Sequence, residues 1–378
     1  MLRPEKTKTS NELLFALREA GSRIRRWPER CSARRRARDI RVADTKEIRA
    51  NYGRLGSPNN PRPIGGEIKY LHLRNRFPEF REDFNLIYLV SSALPPQVVE
   101  LVRIAKARGA KLVWNQNGIA YPGFYGDFYP WFNRTMAELL QLADHVVYQS
   151  RFCRESADRY LGKAPCASEI LFNPVDTEKF RPREGPLSTV TWELLCAGTS
   201  HSLYRIKAPL EALKILRQQG RPSRLTIAGE FRWPGGGKEV ARCIRDLGLE
   251  NFVSLKPPFT QEEAPSIYQN AHVLVHGKDK DPCPTVPIEA MSCGLPVVGL
   301  DSGGMPELVA SSAGRLVPVP QTWTADHAAD PADLAKAIEQ VMRSRESYAE
   351  AARRNAEEKF NARAWLDRHA AIFGEVLS

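Results

Sequence analysis

The chain has 378 residues, a net charge of +11 at pH 7 and 42% hydrophobic residues, which is enough for two to three domains with real cores. No stretch approaches the ~20 apolar residues of a membrane-spanning helix. The first ten residues lack the apolar region of a signal peptide, so we expect a soluble, cytoplasmic chain. The seven cysteines form no CxxC pair, which predicts neither a disulfide framework nor a zinc site.

Residues 1–55 are predicted to form a basic N-terminal extension. Residues 10–27 place apolar side chains on one stripe of a predicted helix, and an arginine-rich run follows. A basic amphipathic helix of this kind binds anionic membranes, and the alternative is a solvated tail or a helix packed on the body. Nucleic acid is not an expected partner, because the run has one interleaved aromatic residue and no reading motif. The stripe is Leu13, Leu17, Ala20 and Ile24, and the arginines are Arg23, Arg25, Arg26, Arg30, Arg34, Arg35, Arg36, Arg38 and Arg41.

A first compact domain is predicted over residues 56–180. Turn-forming residues from Gly56 to Gly66 lead into it, and strands then alternate with helices, which is typical of a parallel, doubly wound sheet. No convincing strand lies directly ahead of Gly66, although residues 39–44 are a candidate remnant of one. The predicted strands are 84–90, 111–115, 145–150 and 168–173, and the predicted helices are 67–74, 96–108, 131–143 and 151–160.

A second α/β domain is predicted over residues 189–346. The proline-rich, charged segment 173–188 precedes it as a linker, and helices in residues 347–378 close the chain. Thr260 and Glu263 have the spacing of a capping box at a helix start. The predicted strands are 192–198, 224–229, 252–256, 272–275 and 296–300, and the predicted helices are 209–218, 239–247, one that starts near residue 260, 285–293 and 347–373.

The run DPCPTVPIEAMSCGLPVVGLDSGG at residues 281–304 is the most specific motif. A strand ends before it, a helix begins near Thr285, and a second strand lies inside it, which makes a βαβ unit. Ligands of such units lie beyond the carboxyl ends of the strands, where the helix N-terminus suits a phosphate. Asp281 can accept hydrogen bonds from sugar hydroxyls, and Glu289 from those of a ribose. The run predicts a sugar-nucleotide site, and an ordinary helix–strand unit with solvated acids is the alternative.

This run strongly resembles the donor-site motif of the retaining glycosyltransferases of family 4, whose fold is called GT-B. The family motif places two acidic residues around seven others. Glu289 matches the second of them, whereas Asp281 stands where the family usually has glutamate. The linker after Asn173 is also similar to that of the family. The resemblance implies two Rossmann-like domains that face each other across a cleft, with closing helices that pack back on the first domain.

The resemblance further implies which residues carry the chemistry. Family members commonly stabilise the leaving diphosphate with an arginine after the first glycine of the second domain and a lysine several residues on. Here Thr199 follows Gly198, so the arginine position of the family is empty, and Arg205 is the candidate to supply a guanidinium from within the following loop. Lys207 lies where the lysine of the family should fall, with an exposed helix-start lysine as the alternative. The candidate catalytic residues are Lys207, Arg205 and Asp281, and the candidate donor-binding residues are Glu289, Gly65, Gly66, Gly198, Thr199, Pro284 and Thr285.

The first domain contributes a second wall of the expected site. Gly65 and Gly66 resemble the Gly-Gly loop of the family, which lets the backbone approach the donor phosphates, and a simple turn is the alternative. Many family members contact the donor sugar with a histidine from this domain. In the comparable loop this chain has Gln116 and Asn117, whose amides can still bind hydroxyls.

The resemblance therefore predicts a cytoplasmic, retaining glycosyltransferase that moves a hexose-type sugar from a UDP- or GDP-sugar to a hydroxyl. The expected acceptor is a glycan or a lipid-linked glycan of the cell surface, reached by peripheral attachment of the basic extension to the inner face of the membrane. No cofactor is expected. No Asp-x-Asp run that would hold a metal against a diphosphate is found in a suitable place, so a metal-independent enzyme is expected. The alternatives are another sugar-nucleotide enzyme, such as an epimerase, and a catalytically silent scaffold with the same fold.

Overall fold

The computed structural model describes residues 40–53, 66–95, 98–188 and 190–378. Two parallel β-sheets organise these residues, one in each half of the chain, and helices cover both faces of each sheet. Within these ranges, no helix is both long and apolar enough to cross a membrane. The stripe at residues 13–24, the arginines from 23 to 38, and Gly65 lie outside the described residues.

The first sheet has five parallel strands in the order β1-β2-β3-β4-β5. Successive side chains of a strand point to opposite faces, so Ile87 and Leu89 join one core while Leu86 and Tyr88 join the other. The strands are β1 (Ala50–Asn51), β2 (Leu86–Val90), β3 (Lys111–Gln116), β4 (His145–Tyr148) and β5 (Ala167–Ile170).

The edge strand of this sheet is not where the sequence suggests a remnant strand. Residues 39–44 were the candidate, but Arg41 forms an isolated bridge to Asp83 and β1 lies nine residues later. Only two residues of β1 pair with β2, between Ala50 and Leu86 and between Asn51 and Ile87. A strand of two residues carries no periodic pattern, which is why the sequence did not reveal it.

Helices cover the two faces of the first sheet unequally. Three helices from the connections between strands pack on one face, and α1 packs on the other together with the last helix of the chain. A short 3-10 turn at Gly126–Phe128 joins two of these helices. The helices are α1 (Glu67–Arg76), α2 (Val98–Ala107), α3 (Pro122–Tyr125), α4 (Tyr129–Leu142) and α5 (Arg151–Tyr160).

The second sheet has six parallel strands in the order β8-β7-β6-β9-β10-β11. Because the first strand of the domain, β6, lies next to the fourth, β9, the direction of winding reverses between these two strands. Ligands of open α/β sheets bind at this reversal, beyond the carboxyl ends of the strands. The strands are β6 (Trp192–Ala197), β7 (Ser223–Ala228), β8 (Val253–Lys256), β9 (Val273–His276), β10 (Val297–Asp301) and β11 (Gly314–Pro318).

The elements of the second domain follow the predicted alternation, with these differences. The helix predicted at 209–218 begins five residues earlier, at Tyr204, and β11, α10 and α11 are not among the predicted elements. The helices are α6 (Tyr204–Gln218), α7 (Gly236–Asp246), α8 (Ala264–Gln269), α9 (Thr285–Ser292), α10 (Met305–Leu308) and α11 (Pro331–Arg343).

The closing helical stretch is interrupted, and its two parts pack on different domains. It forms α12 (Arg345–Lys359) and α13 (Ala362–Leu377), and the side chain of Asn361 caps the second helix by accepting from the amides of its first turn. Helix α12 packs on α9 of the second domain, where Asn355 contacts Met291. Helix α13 packs on the first domain, where Trp365 and Phe373 enter the core beside α1.

Candidate functional site

The reversal point of the second sheet brings together two segments that the sequence singled out. Gly198 follows β6, and the loop that contains Asp281 follows β9, the neighbouring strand. The backbone of Gly198 has a φ of 96°, which favours glycine, and a Cβ built there would lie 3.2 Å from Val286 on the first turn of α9. The end of β6, the loop after β9 and the N-terminus of α9 therefore meet at one place.

Asp281 is buried between two basic groups. Its carboxylate lies 3.0 Å from Nζ of Lys278 and 3.3 Å from Nε2 of His276. Burial raises the pKa of this carboxyl, but Lys278 and His276 outweigh burial and hold the pKa of Asp281 well below its ordinary value. The side chain is therefore a fixed anion that can accept hydrogen bonds from hydroxyl groups.

Helix α9 presents its positive end to this place. Pro284 is its N-cap residue, with an extended backbone, and Thr285 is the first helical residue. The first amides of a helix have no partner inside the helix, which leaves the N–H groups of Thr285 and Val286 for a ligand. Pro284 and Pro287 carry no N–H, so this terminus offers fewer donors than a typical one.

A group of basic side chains lies beside Asp281. Burial lowers the pKa of His201, and the nearby charges of Arg205, Lys278 and Arg232 lower it further. The residue between β9 and Lys278 is Gly277, and a Cβ built there would lie 2.3 Å from the carbonyl oxygen of Arg205. The start of α6 is therefore packed against the loop that carries Asp281, and its basic residues concentrate positive charge at the reversal point.

Arg205 and Lys207 do not join this group equally. Arg205 is buried, and its Nε donates to the hydroxyl of Tyr204 at 3.4 Å. The side chain of Lys207 is 55% exposed, and its Nζ lies 3.8 Å from Glu211 on the following turn of α6. The structure thus places Lys207 as a surface lysine in an i,i+4 ion pair, which is the alternative raised for it above.

Glu289 is deeply buried within the second domain. Its two carboxylate oxygens accept hydrogen bonds from Nε2 of Gln261, at 2.9 Å, and from the hydroxyl of Tyr268, at 2.7 Å. Burial raises the pKa of Glu289 to about 7, although both hydrogen bonds act in the opposite direction. The pKa values of Glu289 and Asp281 are therefore shifted in opposite directions. The surroundings favour the protonated form of Glu289 and the ionised form of Asp281.

Two predicted positions at the edge of the site have simpler surroundings. Thr199 follows Gly198 and is half-buried. Gly66 precedes α1 with a φ of −63°, an ordinary helical value, so no unusual backbone angle requires glycine there. A Cβ built on Gly66 would lie 2.3 Å from Oγ of Ser92, so close packing against the end of β2 excludes a side chain.

Gln116 and Asn117 lie at the carboxyl end of β3, and both are engaged within the first domain. Gln116 accepts from the indole N–H of Trp114 at 2.8 Å, and Asn117 donates to Oγ of Ser92 at 2.6 Å. Asn117 also accepts at 2.8 Å from Lys69, a residue that sequence reasoning did not single out. The two amides are therefore held in fixed orientations.

Lys69 is the unexpected basic residue of the first-domain wall. It is 2% exposed, and its ammonium donates to the amide oxygens of Asn115, Asn117 and Gln149 at 2.6, 2.8 and 3.1 Å. Burial lowers the pKa of Lys69 to about 8. The only signal in the sequence is a helical lysine, a residue normally exposed to solvent, so its burial was not foreseeable.

The two domains touch directly at this site. Gly118 of the first domain lies near Pro282, because a Cβ built on the glycine would be 3.4 Å from the proline ring. Glu307 of the second domain accepts from the backbone N–H groups of Arg151 and Phe152 at 2.8 and 2.9 Å, at the start of α5. A carboxylate at a helix N-terminus is stabilised by the helix dipole. The site therefore has walls from both domains.

Asp279, Lys280 and Asp281 form an Asp-x-Asp run at the reversal point, where the sequence was expected to have none. Both carboxylates are engaged with cationic side chains, Asp279 with Lys280 and Asp281 with Lys278. Across the described parts of the chain, no group of three or more His, Cys, Asp or Glu residues is arranged to hold a metal ion. The thiol of Cys283 beside the site is buried, which raises its pKa to about 12 and makes it a poor nucleophile.

Two Rossmann-like sheets that face each other with a site between them define the GT-B class, as the sequence predicted. Residues 182–359 match the model of the family described as Glycosyl transferases group 1. This match covers the second domain and α12, and it confirms the resemblance stated for the motif at residues 281–304.

Individual proteins match this chain over different lengths. A D-inositol 3-phosphate glycosyltransferase of Pseudarthrobacter chlorophenolicus is 32% identical over 183 residues, which are 46% of this chain and 40% of that protein. WcaL of Escherichia coli K12, whose name assigns it to colanic acid biosynthesis, is 29% identical over 151 residues, or 38% and 36% of the two chains. The chain thus spans less than half the length of these relatives.

The fold comparison extends over both domains. The structure of HepE from Anabaena in complex with UDP-glucose matches with a TM-score of 0.63 and 20% identity, and the match covers 77% of this chain and 79% of that one. At this identity the likeness establishes the shared fold. The first domain, which lies outside the family match, is thereby included in the same architecture.

Proposed function

We propose that the protein is a glycosyltransferase that moves a sugar from a nucleotide-diphosphate sugar to a hydroxyl group. One observation carries this proposal: fixed positive charge and fixed hydrogen-bond acceptors meet at the reversal point of the second sheet. Arg205, Lys278 and the first amides of α9 suit a diphosphate, and the ionised Asp281 beside them suits a sugar hydroxyl.

The leaving diphosphate is the group that most needs stabilisation, because negative charge grows on it as the glycosidic bond breaks. Arg205 and Lys278 supply that stabilisation in our scheme, and Lys278 takes the role that the resemblance assigned to Lys207. Glu289 is proposed to accept from the ribose hydroxyls once Gln261 or Tyr268 releases one of its oxygens. Gly198, Thr199, Pro284, Thr285 and Gly66 complete the donor surface as backbone or close-packing positions, and Gly65 stays a prediction from the sequence.

We propose transfer with retention, as the resemblance implies, and the setting of Asp281 bears on which retaining mechanism applies. A covalent mechanism needs a carboxylate nucleophile aimed at the sugar, whereas Asp281 is committed to Lys278 and His276. We therefore propose front-side attack, in which the leaving phosphate takes the proton of the acceptor hydroxyl. Gln116 and Asn117 are proposed to orient the sugar from the first domain.

The donor and acceptor classes are narrower proposals. Because the named complex of HepE contains UDP-glucose, a UDP-sugar is the first donor to test, with GDP-sugars second. The names of the relatives support a polyol or glycan hydroxyl as acceptor and cell-surface glycan synthesis as the setting. The arginine-rich extension is proposed to hold the enzyme at the cytoplasmic face of the membrane, where a lipid-linked acceptor would be available.

The experiment is a thermal-shift screen of UDP-, GDP- and ADP-sugars followed by assays of donor hydrolysis and transfer. A ligand present at about 100 times its Kd adds ~2.7 kcal/mol to stability. One nucleotide sugar should raise Tm and be consumed with retention of anomeric configuration, which NMR of the product detects. Absence of both binding and consumption across the three donor classes would overturn the proposal.

A scaffold without catalysis is the second candidate, and two observations favour it. Both oxygens of Glu289 are already engaged inside the domain, and Thr199 stands where the family has arginine. A protein of this kind would bind a nucleotide sugar and raise Tm, yet would neither hydrolyse nor transfer it. An epimerase would instead convert the donor without any acceptor. The thermal-shift screen and the assays of donor consumption therefore separate a transferase, a scaffold and an epimerase.

A further inference from the structure

The segment between β11 and α11 reaches from the second domain onto the first. The carbonyl of Trp323 accepts from the backbone N–H of Gly123 at 2.8 Å. The indole ring of Trp323 stacks on Phe152 at 5.3 Å between centroids and meets Tyr121 edge-on at 5.5 Å. This segment is therefore fixed to the first-domain loop that follows Gln116 and Asn117.

Asp326 in this segment is bound from three sides. One carboxylate oxygen accepts from the hydroxyl of Tyr121 at 2.6 Å and lies 3.7 Å from Nζ of Lys280, and the other accepts from Tyr204 at 3.2 Å. Tyr121 belongs to the first domain, Tyr204 begins α6, and Lys280 precedes Asp281. A single carboxylate thus joins the first domain to both basic and acidic parts of the site.

Tyr204 and Lys280, the two second-domain partners of Asp326, each adjoin a proposed catalytic residue. The hydroxyl of Tyr204 accepts from Nε of Arg205 at 3.4 Å, so the orientation of Tyr204 bears on the guanidinium. Lys280 shares a peptide bond with Asp281. Asp326 is therefore connected to Arg205 through Tyr204, and to Asp281 through Lys280.

Lys280 needs external support to keep its conformation. Its φ is 52°, the one positive value of a non-glycine residue in the described ranges, and such a backbone is unfavourable for a residue with a Cβ. Its side chain is 4% exposed and bonded to Asp279 and, at 2.8 Å, to the carbonyl of Ala325. Its backbone N–H donates to Oγ of Ser302 at 3.1 Å. The segment that carries Asp326 thus helps to hold the strained turn before Asp281.

We propose that Asp326 is a positioning residue that couples closure of the two domains to the orientation of Arg205 and Asp281. This inference rests on the proposed function for the roles of those two side chains. Contact with Tyr121 of the first domain fixes Asp326, and Asp326 in turn fixes Tyr204 and Lys280. Closure over the site therefore completes the arrangement that the transfer step needs.

The test compares the full chain with three single variants, Tyr121→Phe, Tyr204→Phe and Asp326→Asn, and with Tyr125→Phe as a matched control. Tyr125 lies in the same aromatic loop, and removal of its hydroxyl leaves the contacts of Asp326 intact. Hydrogen exchange is followed at the amides of Lys280 and Gly304, which donate to Ser302 and to the carbonyl of Asp281. Donor Kd and kcat are measured separately.

Loss of one hydrogen bond to a charged group corresponds to at least a roughly tenfold change, so we expect about tenfold faster exchange at Lys280 and Gly304 in Tyr121→Phe and Asp326→Asn. The same variants should lower kcat by about tenfold or more while donor Kd stays within about twofold. Exchange that changes only at residues 121–125 and 322–327 would overturn the inference, as would a Tyr125→Phe variant with the same effect. If the wild-type protein transfers no sugar, the proposed function fails, yet the exchange result still decides the coupling.

Discussion

Arg205 and Lys207 lie two residues apart on α6 and face different sides of that helix. Positions i and i+2 of an α-helix are about 200° apart, so the two side chains leave the helix in nearly opposite directions. Arg205 is buried against the loop that carries Asp281, whereas Lys207 pairs with Glu211 at the surface. The sequence placed the helix start at residue 209, which left both residues in one loop. The structure instead places both within α6.

The first prediction separates these two cations. Arg205→Ala should lower kcat by about 100-fold, the usual cost of removing one donor that stabilises charge in a transition state. Lys207→Ala should keep kcat within about threefold of the wild type, because exposed i,i+4 ion pairs contribute little. Steady-state kinetics with the donor found in the screen gives both values. Arg205→Lys keeps the charge and the burial, and thermal unfolding of each variant shows whether the fold is retained. The opposite ranking would restore Lys207 as the catalytic cation.

The second prediction concerns donor binding by Glu289. Above its pKa of about 7, Glu289 is a charged acceptor. At such a pH, Glu289→Gln keeps the shape of the side chain but removes the charge, which should weaken donor binding by about 1.5–3 kcal/mol. Calorimetric titration with the nucleotide diphosphate measures this loss. Glu262→Gln is the matched control, because Glu262 lies beside Gln261 and is exposed. Unchanged affinity in Glu289→Gln would mean that Glu289 is a structural residue held by Gln261 and Tyr268.

The third prediction follows from the raised pKa of Glu289. Its pKa is about 7 in the folded chain and 4.5 as an ordinary value, so between these pH values the folded state holds a proton that the unfolded state has released. The free energy of unfolding should therefore fall as pH rises from about 5 to 7. Glu289→Gln should remove this fall. Urea unfolding of both chains at pH 5, 6 and 7 tests it, and the difference between the chains cancels the contributions of other groups. Parallel pH profiles for the two proteins would show that Glu289 keeps an ordinary pKa.

The sequence predicted the elements that are marked by a local pattern, such as a capping box or an apolar run. The capping box at Thr260 and Glu263 is present, with the amide of Thr260 donating to the Glu263 carboxylate at 2.7 Å and the reverse bond at 3.3 Å. Apolar runs located every strand of four or more residues except β11. The motif of Asp281 and Glu289 predicted a ligand site beyond the carboxyl ends of the strands, and the structure places Asp281 at the reversal point.

Contacts between distant segments were beyond the reach of such patterns. Lys69 is read locally as an exposed helical lysine, yet it is buried among amides from the ends of β3 and β4. Asp326 lies in a polar stretch typical of a loop. Its partners Tyr121, Tyr204 and Lys280 are 205, 122 and 46 residues away along the chain. Burial and pairing of this kind depend on how the two domains meet, which periodicity does not encode.

The fourth prediction is that transfer survives chelation. In our scheme the side chains of Arg205 and Lys278 and the amides of α9 stabilise the diphosphate, and the carboxylates of Asp279 and Asp281 are engaged with lysines. Protein treated with EDTA should therefore keep its kcat. The run Asp279-Lys280-Asp281 makes this a sharp test, since such a run could hold Mg²⁺ or Mn²⁺ if the lysines released it. Loss of transfer in EDTA and recovery on adding either ion would assign the run to a metal.

The fifth prediction concerns the arginine-rich extension, for which we expect reversible binding to anionic membranes. Nine arginines crowd residues 23–41, and each basic side chain near an anionic surface contributes ~1 kcal/mol. Several acting together suffice for attachment, and salt should weaken it because the Debye length shrinks from about 8 Å at 0.15 M to about 3 Å at 1 M. Sedimentation with anionic vesicles should therefore retain the full chain at low salt and release it at high salt.

A chain that begins near Gly56 and vesicles of neutral lipid are the two controls for this experiment. The shortened chain should stay in the supernatant with either vesicle, because it lacks every arginine of the run. The full chain should stay in the supernatant with neutral vesicles, because the attraction is electrostatic. If the full and shortened chains sediment alike on anionic vesicles, the extension does not attach the enzyme to a membrane. The acceptor must then be sought among water-soluble hydroxyl compounds, since nothing else proposed for this chain brings it to a lipid-linked one.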